Sequence, residues 1–236
     1  MPRAMNRWVR RVAWRALVAV SALDCTGSRD VTARAIVPSL AGSTGASEQP
    51  IEATSPTAAA LASNQLAFDL YDRLRQDEGN LVFSPVSLSL ALAMALAGAR
   101  NETAAQIAHV LHVSPAPGAH DGFGELIGSL NEGHAHAPST LRIADRVWVQ
   151  SGMQVQADFR TRMRDSYRAP LGEVDFGDPV GAAATVNAWA KQETFGRISH
   201  VLAPDRLTTS TRFVLASAVF FKGIWRTVPE ERPGYR

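Results

Sequence analysis

Histidines, lysines and one cysteine are the residues of this chain whose types could do chemistry. His109 and His112 share a helix face, and His134 and His136 share a loop. Zinc needs three or four converging His, Cys, Asp or Glu ligands; neither pair has such a cluster nearby, so they read as solvated side chains. The two lysines, Lys191 and Lys222, lack a serine three positions before them, which excludes an SxxK nucleophile. The chain has no GxSxG elbow, Walker A loop or GxGxxG turn. Cys25, the single cysteine, excludes an internal disulfide and any CxxC site. The expectation is a non-enzyme with no cofactor and no metal.

Composition narrows the class further. Among 236 residues, 46% are hydrophobic, enough for a packed core. The formal charge of +2 is misleading, because Arg3, Arg7, Arg10, Arg11 and Arg15 crowd the first residues. Without them the chain carries a slight excess of acid, and no basic stripe remains for nucleic acid. Arginine outnumbers lysine 22 to 2, which reads as a GC-rich, bacterial genome. Residues 1–25 read as an export leader: a basic start, then the apolar Ala16–Leu23, too short to span a bilayer. Cys25 follows directly and is a candidate lipidation site for membrane anchoring, although Asp24 stands where a small residue is ordinary. The product is expected to be exported, extracellular or periplasmic.

Residues 26–57, rich in Ser, Thr, Ala, Gly and Pro, read as a flexible linker. An amphipathic helix starts near Ala58, with Leu61, Leu66, Phe68, Leu70, Tyr71 and Leu74 as its apolar face. A short strand is expected at Asn80–Phe83. Ser84-Pro85 then opens an uncharged helix, with serine as N-cap and proline in the first turn. Helices are predicted over Glu102–His112, Asp158–Arg168 and Val180–Phe195, and a weaker one within His120–Thr140. Strands are predicted at Leu141–Gln150, Val174–Phe176 and Phe213–Trp225. The last, FVLASAVFFKGIW, has ten apolar residues in thirteen and reads as a central strand, covered on both faces.

Four runs in this order resemble the serpin family of serine protease inhibitors: NLVFSPVSL (Asn80–Leu88), TAAQIAHVL (Thr103–Leu111), VNAWAKQETFGRI (Val186–Ile198) and the apolar strand itself. The resemblance covers about Leu61–Trp225, the N-terminal half of the family's domain, and the tail 226–236 does not continue it. It implies an α+β fold with helices packed around a large mixed β-sheet, ending before the reactive-centre loop.

The same resemblance implies roles for particular residues. Ser84 and Ser87 would head the central helix beneath the sheet, and Ser217 would lie above them, where the family usually has Asn. Lys222 and Gly223 would mark the strand end where the family's loop inserts first. Asn187, Trp189, Thr194 and Gly196 would belong to a helix lying across the sheet, with Trp189 as anchor. A serpin's partner is a serine protease, which attacks the reactive loop. The cleaved loop then inserts into the sheet and drags the acyl-enzyme with it, so the inhibitor supplies no catalytic group.

Two features temper that expectation for this chain. No Lys or Arg occurs between Asn101 and Leu141, which argues against a heparin site. The reactive bond is expected to be absent, so this polypeptide alone is expected not to inhibit. Two alternatives remain: a secreted or lipid-anchored serpin-like binding module, and the non-functional product of a truncated or frameshifted gene. With no strand supplied beyond it, the apolar strand is expected to form an open edge and to drive self-association.

Overall fold

The computed structural model describes residues 49–76, 79–115, 118–132 and 139–223, together with the backbone of one strand, β1, at Leu17–Asp24. The helices are α1 (Pro56–Leu74), α2 (Pro85–Gly98), α3 (Asn101–Val110), α4 (Ala119–Glu132), α5 (Ala157–Asp165) and α6 (Pro179–Glu193). The remaining strands are β2 (Thr140–Gln150), β3 (Leu171–Val174) and β4 (Thr211–Lys222). They form a mixed sheet in the order β1-β4-β2-β3. β4 runs antiparallel to both of its neighbours, and β2 runs parallel to β3.

Strand parity sorts the core into two layers, since successive side chains point to opposite faces. Ile143, Val147 and Val149 of β2 join Leu215 of β4 in one layer with α1, α2 and α4. Trp148, Val214, Ala216 and Ala218 join α6 in the other. β4 is therefore covered on both faces, as its near-continuous apolar sequence requires.

Local chemistry explains the helix starts. Ser55-Pro56, Ser84-Pro85 and Asp178-Pro179 each place a capping oxygen before a proline in the first turn, and each oxygen accepts from a backbone N–H of that turn. Because Ser55 caps α1, the helix begins two residues before Ala58. Ile51 already bridges Val113, and Ala53 is buried, so the packed domain takes in the end of the expected linker.

The buried face of α1 differs from expectation. Ala59, Ala62, Ser63 and Leu66 face inward, whereas Leu61, Phe68 and Tyr71 are exposed. Small residues win because α4 packs closely on this part of the chain. A Cβ on Gly122 would sit 2.0 Å from the Ala53 carbonyl oxygen, and one on Gly124 would sit 2.2 Å from that of Ser166. Bulk at this seam would force the layers apart. Asn80–Phe83 is not a strand: among the described residues it pairs with no other segment, and Asn80, Leu81 and Val82 are exposed.

The largest correction concerns β4. Its side away from β2 is not an open edge, because Leu17–Asp24 pairs along it from Leu17↔Val219 to Asp24↔Thr211. An apolar strand with no charge before Asp24 offers the ladder that β4's backbone groups need.

Trp189 of α6 is 8% exposed and meets Trp148 of β2 edge-to-face, with ring centroids 5.2 Å apart. Together they anchor α6 to the sheet, helped by an ion pair from Arg142 of β2 to Glu193 at 2.6 Å. Trp189→Ala is expected to cost ~3–5 kcal/mol in urea denaturation, with Trp189→Phe losing much less; equal stability of the Ala variant and the wild type would contradict the anchoring role.

Candidate functional site in the β2–β4 seam

The ladder puts Asp145 of β2 directly opposite Ser217 of β4. By parity both side chains point to the α2 side of the sheet, in line with Ile143, Val147 and Leu215. Asp145 is 5% exposed and Ser217 fully buried. Neither carboxyl oxygen, nor the Ser217 hydroxyl, completes a well-aligned hydrogen bond among the described residues. Burial pushes the Asp145 carboxyl up to about 7, and the nearby Ser217 hydroxyl only partly offsets this. A neutral carboxylic acid can donate to Ser217; a carboxylate there is a buried charge with no cation paired to it.

Below the sheet, the head of α2 repeats the theme. Ser84 Oγ accepts the Ser87 N–H at 3.4 Å, and the two hydroxyls lie 3.0 Å apart. Ser87 and Ser89 are fully buried, and the Ser89 hydroxyl is likewise without a partner. α2 packs against β4, so one apolar layer holds both the Asp145–Ser217 pair and the buried serines of α2. The hydroxyls of Ser89 and Ser217, unpartnered among the described residues, add little to the hold of the backbone ladder.

A second buried polar pair lies nearby. His120 of α4 and Tyr167 share a 2.6 Å hydrogen bond between Nδ1 and the phenol oxygen. Burial and the Arg162 charge lower His120 to about 4, against a smaller opposing pull from Asp121. Burial raises the Tyr167 phenol, and Asp145 acts on it in the same direction. Both rings are therefore neutral at ordinary pH.

The expected α6 residues serve position. Asn187 Oδ1 accepts from the N–H groups of Val201 and Leu202 at 2.7 and 2.9 Å, and its Nδ2 donates to the Leu202 carbonyl. This side chain fixes the loop that leads into β4. Thr194 Oγ1 donates to the Ala190 carbonyl at 2.7 Å and accepts from the Ile198 N–H. Gly196, at φ +79°, ends the helix in a left-handed turn that favours glycine.

Lys222 and Gly223 lie at the far end of β4, with Lys222 opposite Thr140. The expected residues thus fall in three places: Ser84, Ser87 and Ser217 on the α2 side, Lys222-Gly223 at a strand end, and the α6 group on the other face. Asp145 and the His120–Tyr167 pair went unnoticed in the sequence. The signal for Asp145 was present, as the single charge among the inward positions Leu141, Ile143, Asp145, Val147 and Val149.

Among the described residues no His/Cys/Asp/Glu group could hold a metal ion. His112 is not simply solvated, because its Nε2 meets Asp69 at 2.7 Å. Cys25, His134 and His136 lie outside the described residues. No described helix is long and apolar enough to cross a membrane.

This geometry, a mixed sheet with a capped apolar helix under it and a Trp-anchored helix over it, is found in a known family. The model for "Serpin (serine protease inhibitor)" matches residues 61–232. The chain belongs to the serpin family. It is 37% identical over 168 residues to a leukocyte elastase inhibitor of Bos taurus, covering 70% of this chain and 44% of that protein. It is also 37% identical over 166 residues to an uncharacterized serpin-like protein of Thermococcus kodakarensis, covering 70% and 38%. Among solved structures, "Cleaved Serpin 42Da" superposes with a TM-score of 0.65 at 33% identity, covering 74% of this chain and 46% of that one. The chain thus spans less than half the length of these curated relatives. Cattle and an archaeon lend no support to the bacterial source expected from the arginine bias.

The two buried groups make opposite predictions for stability against pH. Asp145, raised from 3.8 to about 7, contributes stability that is fully present below pH 4 and lost as pH climbs towards 7. His120, lowered from 6.5 to about 4, contributes stability that is present above pH 6.5 and lost as pH falls towards 4. In the wild type these slopes oppose each other. Asp145→Asn is expected to gain on the order of 1–3 kcal/mol at pH 8 and to become less stable, relative to that value, as pH falls from 6.5 to 4. His120→Gln should show the reverse slope over the same range. Urea titrations at stepped pH check both; parallel pH profiles for the two variants would contradict the assignment.

Proposed function

We propose that this chain forms the sheet-and-helix platform of a serpin-type inhibitor of serine proteases. In such an inhibitor a loop would insert beside β4 in the place that β1 takes here, but the isolated chain would not trap a protease. The observation that carries the reading is β4 itself: a strand apolar on both faces, with α6 across one and α2 beneath the other, inside the region matched by the family model. The unpartnered Asp145 and Ser217 side chains between β2 and β4 support the same reading, because strand insertion needs an interior whose hydrogen bonds are easily exchanged.

Suicide inhibition stores strain and releases it when a protease cuts an exposed loop. The described residues supply a receiving surface for that event. Their connections are packed: the segment leading into β4 is held by Asn187, Thr194 and a short turn at Pro204–Arg206. The partner of the complete inhibitor is therefore a serine protease. Export, to the extracellular space or the periplasm, with anchoring through Cys25 when that residue is acylated, is part of the same proposal and rests on the basic, apolar leader.

Incubation of the chain with trypsin-, chymotrypsin- and subtilisin-like proteases is expected to yield no SDS-stable complex and no loss of protease activity. A covalent adduct with any of them would overturn the non-inhibitory reading. The inhibitor reading is tested by adding, in trans, the C-terminal half of a related serpin. Restored adduct formation supports it, and a stable reassembled fold that leaves every protease active refutes it.

A further inference from the structure

Arg146 of β2 is a cation in the α6 layer with no acid to meet it. Its ladder partner is Ala216, which lies in that layer with Trp148, so strand parity turns the Arg146 side chain towards α6. Its Nε is buried and has no hydrogen-bond partner among the described residues. The acids of the surrounding elements are committed elsewhere. Glu193 of α6 pairs with Arg142, Asp175 accepts from Gln150 and Gly177, and Asp178 caps Gly181. Glu173 of β3 and Asp145 of β2 point to the opposite face by parity, and β4 contains no acid. A half-buried guanidinium left in this state favours an anion from outside the chain. We propose that Arg146 and the indole N–H of Trp148 form a binding site for the carboxylate of a small organic acid, beside Gly172 on the α6 side of the sheet.

Gly172 brings the two donors to one place. It sits opposite Trp148 in the β2–β3 ladder. A Cβ there would lie 3.1 Å from Trp148 Nε1 and 3.6 Å from Arg146 Nε, so both nitrogens border the same small volume. The guanidinium carbon is 5.6 Å from the centre of the Trp148 ring, a cation–π contact that limits where the group can turn.

Charge and shape select the ligand. One guanidinium supplies one positive charge and a planar edge that meets two carboxylate oxygens in parallel N–H···O bonds. The indole N–H adds a donor from the side. A phosphate dianion would bring a second negative charge with no second cation facing it. The buried Trp148 and Ala216 screen the pair less than water would, while the half-exposed Arg146 leaves a way in.

NMR spectra of the full 15N-labelled chain at pH 6.5, titrated with sodium acetate at an ionic strength held constant by sodium chloride, test this. The Trp148 Nε1–H and Arg146 Nε–H signals are expected to shift together and level off. Arg146→Gln should abolish the Trp148 shift. Arg146→Lys, which keeps the charge but not the planar edge, should need several-fold more acetate. Sodium phosphate should bind more weakly than acetate. Shifts that rise linearly without levelling off, or that survive in Arg146→Gln, overturn the site. Tighter binding of phosphate than of acetate overturns the carboxylate assignment, and Arg146→Lys binding as the parent does overturns the role of the planar edge. Should Arg146→Gln fail to fold, the titration of the parent decides, because both signals must saturate with acetate.

Discussion

β4 needs cover in four directions at once, and the rest of the molecule is arranged to give it. Its side chains are apolar on both faces, so each face requires a layer; α2 with its neighbours supplies one and α6 the other. Its backbone requires a ladder on both sides, and these come from β2 and β1. Other contacts hold those four in place. Asn131 of α4 clamps both backbone groups of Ile143 and so fixes β2. Trp148, Trp189 and the Arg142–Glu193 pair fix α6. Gly122 lets α4 approach the backbone at the start of α1, and Gly124 lets it approach the backbone of Ser166 after α5.

Within that apolar frame the α2 side of the seam is deliberately poor in satisfied polar groups. Asp145 is acceptable there because it is neutral through most of the acidic range, and Ser217 and Ser89 because hydroxyls are small. A seam of this kind costs stability. In return the side chains of the seam add few hydrogen bonds to those of the backbone ladders. The His120–Tyr167 pair beside it opposes the pH slope of Asp145 between about pH 4 and 6.5.

Much of this was legible in the sequence, for identifiable reasons. Proline after Ser55, Ser84 or Asp178 announces a helix start, and the starts of α2 and α6 follow directly from it. The length and apolarity of FVLASAVFFKGIW identify β4 as central, and the Trp, Thr and Gly of VNAWAKQETFGRI mark a packed, cleanly ended helix. The misses share a cause: they depend on partners distant in sequence. The exposed Phe68 and Tyr71 looked like core until α4 selected the alanine face of α1. Asn80–Phe83 has strand composition, yet no described residue pairs with it. The second neighbour of β4 lies nearly two hundred residues away in a segment whose composition spoke first of export. Asp145 was hidden because a single acid in an alternating strand reads as surface unless the strand's parity is followed through.

The fold depends on β4 having two neighbours within one molecule. Interstrand Hα–Hα and amide NOEs, recorded on a mixture of labelled and unlabelled chains to separate contacts within a molecule from those between molecules, measure this directly. The prediction is two intramolecular sets: one in the Ala144↔Ala218 and Asp145↔Ser217 register, and one in the Ala19↔Ser217 and Val20↔Ala216 register. NOEs to β2 alone, or a second set arising only between molecules, would contradict it.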